Sequence, residues 1–267
     1  MAKSRIRFDS NRAWQQAMAA LRSNRDMLLP LAGVFFLLPN LAMSILVPEP
    51  KPPSGADQAA MMAFAMDYYR RVLPVVVPVV LFQATGTLGM LTLLTDRSRP
   101  TVGQALMAGL RAVLPYFGSQ LVFGFVLGIV AMPLLILASL TRSAAVTVLT
   151  LIVLGVVGWT RTALAAPVIA IEKERNPVRA LARSWLLTRG NTLAILGFTG
   201  LITLVFLVVM WVVMALGGTL ATLLLPPQGV TIVSAVLSAT LGALMVLVLV
   251  AALAAIHDQL ADGGERG

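Results

Sequence analysis

Residues 230–256 read VTIVSAVLSATLGALMVLVLVAALAAI, an unbroken stretch without one charged side chain. A helix rises 1.5 Å per residue, so about 20 apolar residues match the roughly 30 Å hydrocarbon core of a bilayer, and this stretch is long enough to cross it. Runs 27–47, 72–94, 114–140, 144–171 and 192–216 have the same character, each with at most one charged residue. A segment in lipid must satisfy its own backbone groups, and continuous apolar runs of this length do so as helices. The chain therefore reads as an all-α, polytopic membrane protein with six transmembrane helices.

Composition points the same way. Of 267 residues, 58% are hydrophobic and 12% charged, with a mean hydropathy of +0.90, whereas about a quarter of a soluble domain is charged. The absence of cysteine excludes disulfides, thiolate nucleophiles and Cys-ligated metal centres. A net charge of +9 would suggest nucleic acid for a soluble protein. Here its distribution along the chain matters more, and no nucleic-acid partner is expected.

That distribution sets an orientation. Lys3, Arg5, Arg7, Arg12, Arg22, Arg25, Arg97, Arg99, Arg111, Lys173, Arg175, Arg179, Arg183, Arg189 and Arg266 fall on one set of alternating flanks, and Lys51, Arg70, Arg71 and Arg142 on the other. The positive-inside rule then puts both termini in the cytoplasm. The first run sits behind 26 mostly polar residues and exceeds the 7–15 residues of a signal-peptide core, so a cleaved leader is not expected. The expected organisation is a cytoplasmic N-terminal segment 1–26, a membrane domain 27–256 and a cytoplasmic tail 257–267.

The cytoplasmic segments carry a second pattern. From Ser10, the residues Trp14, Ala17, Met18 and Leu21 recur at helical spacing with Arg12, Gln15, Gln16 and Arg22 off that stripe, which predicts an amphipathic helix. Asn176 as cap and Pro177 at the first position open another, bearing Val178, Leu181, Ala182 and Trp185 opposite Arg179 and Arg183 and closing at Gly190. Thr101 with Gln104 forms a capping-box pattern ahead of Val102, Leu106, Leu110 and Val113. The chain thus reads as three hairpins of spans, each preceded by a cytoplasmic amphipathic interfacial helix. Such helices serve as anchors that complete the fold or as a surface for anionic headgroups or a protein partner. Arg179, Arg183 and Trp185 are the candidates for that surface.

Arg161 is the one residue inside a run that is charged at neutral pH. Eleven residues before Glu172 on a straight helix, it would lie about 16 Å from the boundary, near the bilayer midplane. Gln83 and Asn40 are the polar residues expected to meet it in one layer, helped by carbonyls freed at Pro39, Pro78, Pro133 and Pro167. The other reading ends the fourth span at 160, with Arg161 at the boundary and 162–171 half-submerged. Gly124 with Gly128, and Ser234, Ser238 and Gly242, form small-residue repeats whose ordinary meaning is close helix packing. Residues 55–71 read as an outer interfacial helix with an aromatic belt. Met62 and Met66 are one turn apart there, but no His or Cys supports them as ligands for a soft metal.

No catalytic constellation is legible. His257, the sole histidine, stands beside Asp258 in what reads as an unanchored, solvated tail, and no zinc spacing, nucleophile elbow, phosphate loop or pair of intramembrane carboxylates is present. Neither an enzymatic activity nor a cofactor or metal is expected.

One stretch carries a resemblance. Residues 161–172, RTALAAPVIAIE, followed by 177–190, PVRALARSWLLTRG, resemble the signature of the membrane domain fused to some glycerophosphodiester phosphodiesterases and of the YciC-like inner-membrane proteins. The resemblance implies a bacterial inner-membrane protein of about six spans with no activity established for the domain itself. The phosphodiesterase barrel would need about 250 residues, and no soluble segment here approaches that. The expected function is a non-enzymatic membrane module, a scaffold or lipid-associated accessory protein with a basic cytoplasmic surface. The alternative is a transporter or channel-like protein for a small anionic solute, with Arg161 as the binding charge.

Overall fold

The computed structural model describes residues 8–47, 50, 52, 55, 57–96 and 100–265. Lys3, Arg5, Arg7, Lys51, Arg97, Arg99 and Arg266 lie outside them. Every regular element among the described residues is helical: α1 (Ser10–Ser23), α2 (Arg25–Ala32), a π-helical turn (Gly33–Leu37), α3 (Leu38–Leu46), α4 (Gln58–Thr95), α5 (Val102–Leu140), α6 (Ala144–Thr162), α7 (Ala165–Ile171), α8 (Pro177–Thr188), α9 (Thr192–Leu224) and α10 (Pro227–Glu265). Six stretches are long and apolar enough to cross a membrane: Arg25–Leu46, Gln58–Thr95, Val102–Leu140, Ala144–Ile171, Thr192–Leu224 and Pro227–Ala261. The chain is an all-α polytopic membrane protein.

Local chemistry explains most helix ends. Asn176 Oδ1 accepts from Val178 N and Arg179 N at 3.0 and 3.2 Å, with Pro177 beside it supplying the fixed φ of a first helical turn. Gly190, at φ 90°, carries the chain out of α8 through a conformation that side chains resist. Thr101 and Gln104 close the capping box reciprocally at 3.3 and 3.0 Å. At α1 the cap is Asp9 rather than Ser10, its carboxylate accepting from Asn11 N and Arg12 N. Within the spans, hydroxyls of Thr92, Thr199 and Thr240 bond the carbonyl four residues back, so they cost little in lipid.

Two expectations about continuity are corrected. The amphipathic segment after Thr101 is not a separate in-plane helix; it forms the first turns of α5, which runs unbroken to Leu140. Pro115 would be the breaking point, because it cannot donate to the carbonyl of Arg111. Arg175 Nη1 donates to that carbonyl instead, at 2.6 Å. The fourth run, conversely, is not one straight helix. Pro167 lacks the N–H that would bond Ala163 O, and its ring crowds that carbonyl. The chain breaks there, at Ala163 and Leu164, between α6 and α7.

Compact packing divides the chain in two. One unit comprises Asp26–Gly86 and Val205–Leu247. In it the π-helical turn presents Phe35 to Phe82, rings stacked with centroids 4.3 Å apart, while a Cβ on Gly86 would lie 2.5 Å from that of Phe35. A Cβ on Gly217 would likewise meet Leu237 at 2.7 Å, so α9 and α10 close on each other there. The second unit comprises Met1–Arg25, Thr87–Leu204 and Val248–Gly267, with Leu88, Leu164, Ile169, Ile195 and Ile256 fully buried. Gly158 lets α6 approach Phe123 of α5. Gly124 and Gly128, expected as packing positions, have open space where a side chain would stand.

Candidate functional site

The second unit gathers α7, α8 and the last turns of α10 around one carboxylate. Glu172 caps the end of α7, where Lys173 at φ 56° turns the chain toward α8. Its oxygens both accept from Arg183 Nε at 3.1 Å. Oε1 is also 3.0 Å from Nε2 of His257. An ionised carboxylate only accepts, so His257 is the tautomer or cation with a proton on Nε2. Only 4% of His257 is exposed. The solvated, unanchored tail is thereby corrected: α10 continues to Glu265, and His257 ties it to α7 and α8.

Neighbouring contacts extend this corner. Lys173 Nζ lies 3.5 Å from Asp96 at the end of α4. Gln259 of α10 binds α1 on both sides of its start, accepting from Asp9 N and donating to Asp9 O and Gln16 Oε1. Phe8 N donates to Asn191 Oδ1 at 2.9 Å while its ring meets Phe198 edge-on. The ends of the described chain are thus fastened to the same helix cluster.

Arg161 belongs to this corner. Ser184 Oγ donates to its carbonyl at 2.7 Å, fixing α8 on the last turn of α6. Its guanidinium stacks on Trp185, 4.6 Å from the ring centroid, and Nη1 reaches Trp185 O and Thr188 Oγ1 at 3.4 and 3.5 Å. Nε is enclosed and meets no acceptor. The expected polar layer of Arg161, Gln83 and Asn40 is resolved into two sites. Gln83 Nε2 donates to Asn40 Oδ1 at 2.8 Å in the first unit, whereas Arg161 bonds α8 in the second. The depth assigned to Arg161 assumed a straight helix to Glu172; the break at Pro167 removes that assumption and brings α8 alongside.

Both separate amphipathic helices divide their surface three ways. In α1 the packed face is Ala13 and Ala17; about a quarter-turn away come exposed Trp14 and half-buried Met18 and Leu21, then exposed Arg12 and Arg22. In α8 the packed face is Ala180, Ser184, Leu187 and Thr188. Val178, Trp185 and Leu186 are exposed beside it, and Arg179 follows. Of the apolar stripes that periodicity picked out, Trp14, Val178, Ala182 and Trp185 face outward, Met18, Leu21 and Leu181 are half-buried and Ala17 is packed, and small residues next to them complete the packed faces. Of the residues expected at headgroups, Arg179 and Trp185 are exposed, while Arg183 is engaged by Glu172.

No family model, no curated protein and no solved structure matches this chain.

Proposed function

We propose that the protein is a non-enzymatic membrane module whose basic end sits in the cytoplasmic headgroup layer of a bacterial inner membrane, with both termini cytoplasmic. One observation carries the reading. In α1 and α8 alike, a tryptophan-bearing stripe is left exposed between a face packed on the protein and a face bearing arginine. A helix built this way lies in the interface plane, with its apolar stripe in the acyl boundary and its cations among anionic headgroups, each worth about 1 kcal/mol. The resemblance of 161–172 and 177–190 to the membrane domain fused to some glycerophosphodiester phosphodiesterases and to YciC-like proteins supports the bacterial inner-membrane setting of this reading.

The alternative, a carrier for a small anion with Arg161 as its binding charge, has less behind it, because the guanidinium is turned onto α8.

The test uses Arg12→Gln, Arg22→Gln and Arg179→Gln combined, since these side chains are exposed. The triple variant is expected to insert normally but to retain less anionic lipid through purification, with the difference shrinking as salt rises. Retention equal to wild type at low salt would overturn the headgroup reading and leave these helices as anchors only.

A further inference from the structure

We infer that Arg161 and Trp185 form a seat for the phosphodiester of one bound phospholipid, an inference that rests on the headgroup reading above. The reasoning starts from charge. A guanidinium stays protonated throughout the physiological range, yet the partners of Arg161 are neutral: a carbonyl and a hydroxyl at 3.4 and 3.5 Å. No carboxylate among the described residues pairs with it. Nearby cations differ, because Arg183 has Glu172 and Lys173 has Asp96. The carbonyl of Trp185 belongs to the last turn of α8, so Arg161 does meet the negative end of that helix, equivalent to about half a charge. This offsets part of its charge and leaves room for an anion.

Geometry says what kind of anion. Nη1 is turned to α8, Nε is enclosed and one guanidinium face is covered by Trp185; Nη2, with no hydrogen bond among the described residues, remains to donate, and a charge-assisted N–H is suited to a phosphate oxygen. The flank of the site is apolar: Trp185, stacked on the guanidinium at 4.6 Å, is itself 48% exposed. Tryptophans so displayed sit at headgroup level with acyl chains against them. A dissolved ion gains nothing from such a flank, whereas a phosphodiester carrying acyl chains covers it. The occupant is therefore a phospholipid, with its phosphate at Arg161 and its first acyl carbons along Trp185.

The experiment is native mass spectrometry of the full chain taken from nanodiscs of phosphatidylglycerol and progressively delipidated. Wild type is expected to hold a most persistent lipid that Arg161→Gln releases about tenfold faster or more, with Arg161→Lys in between because it keeps charge without the planar guanidinium that stacks on Trp185. The triple variant at Arg12, Arg22 and Arg179 should keep it. Equal release from Arg161→Gln and wild type overturns the seat while leaving the headgroup reading intact; wild type holding no phosphatidylglycerol at all overturns that reading too. Displacement of the lipid by inorganic phosphate alone, without slower exchange for the lipid, also overturns the seat in favour of a free-anion site. If Arg161→Gln fails to fold, wild type still decides. Fluorescence from Trp185, taken as wild type minus Trp185→Phe, should be quenched about twofold more by phosphatidylglycerol brominated near the headgroup than near the chain end. Equal quenching overturns the seat.

Discussion

Removing the carboxylate at the centre of the helix corner should be costly, and the cost can be built from its partners. Glu172→Ala leaves His257, whose side chain is 5% exposed, without its acceptor among the described residues, Glu172 Oε1 at 3.0 Å. A buried polar group left unsatisfied costs about 1–3 kcal/mol. Arg183 also loses its partner, but its side chain is 45% exposed, so it rehydrates and contributes at most about 1 kcal/mol. A total near 2 kcal/mol, at about 2–4 °C per kcal/mol for chains of this size, lowers the unfolding midpoint by about 4–8 °C. Glu172→Gln keeps an acceptor for His257 and should lose roughly half as much. The assay is thermal loss of helical circular dichroism in a mild detergent. A double-mutant cycle with His257→Leu sharpens it. Once the carboxylate is gone, replacing the buried imidazole by an apolar side chain removes the unsatisfied group, so the coupling should be about 1–2 kcal/mol. A midpoint within about 1 °C of wild type for Glu172→Ala, or a coupling indistinguishable from zero, would refute the claim that this carboxylate holds α10 to α7 and α8.

Further outcomes follow from packing and from topology. Gly86→Ala places a Cβ 2.5 Å from that of Phe35 and should destabilise by about 1–3 kcal/mol, whereas Gly128→Ala, with nothing within 4 Å, should stay within about 0.5 kcal/mol; the same melting assay separates them, and equal effects would sink the packing assignment. Single cysteines placed at Ala59 and Ala182 should label from opposite sides of a sealed vesicle, because the basic flanks are expected inside. Labelling of both from the same side would reject the six-span topology.

The lengths of the spans, the caps at Asn176 and Thr101 and the exit at Gly190 were legible in the chain because each depends on residues within about a turn or on the thickness of a bilayer. Periodicity also found the tryptophan stripes of α1 and α8. It included buried Ala17 but missed the rest of the packed faces beside them, since Ala13, Ala180 and Ser184 carry too little hydrophobicity to stand out, and their value lies in letting backbones approach. Prolines were visible, but their consequences were not. At Pro115 α5 runs on, with Arg175, 64 residues away from Arg111, supplying the missing donor, while the chain breaks just before Pro167. The partners of polar side chains were the least legible. Glu172 and His257 are separated by 85 residues, and neither has a neighbour in sequence that announces the other. A hydrogen bond forms between whichever donors and acceptors the helix ends bring within about 3 Å. Span lengths and caps are written along the chain, but the meeting of α7, α8 and α10 that pairs these two residues, and turns Arg161 onto Trp185, exists only in the packed bundle.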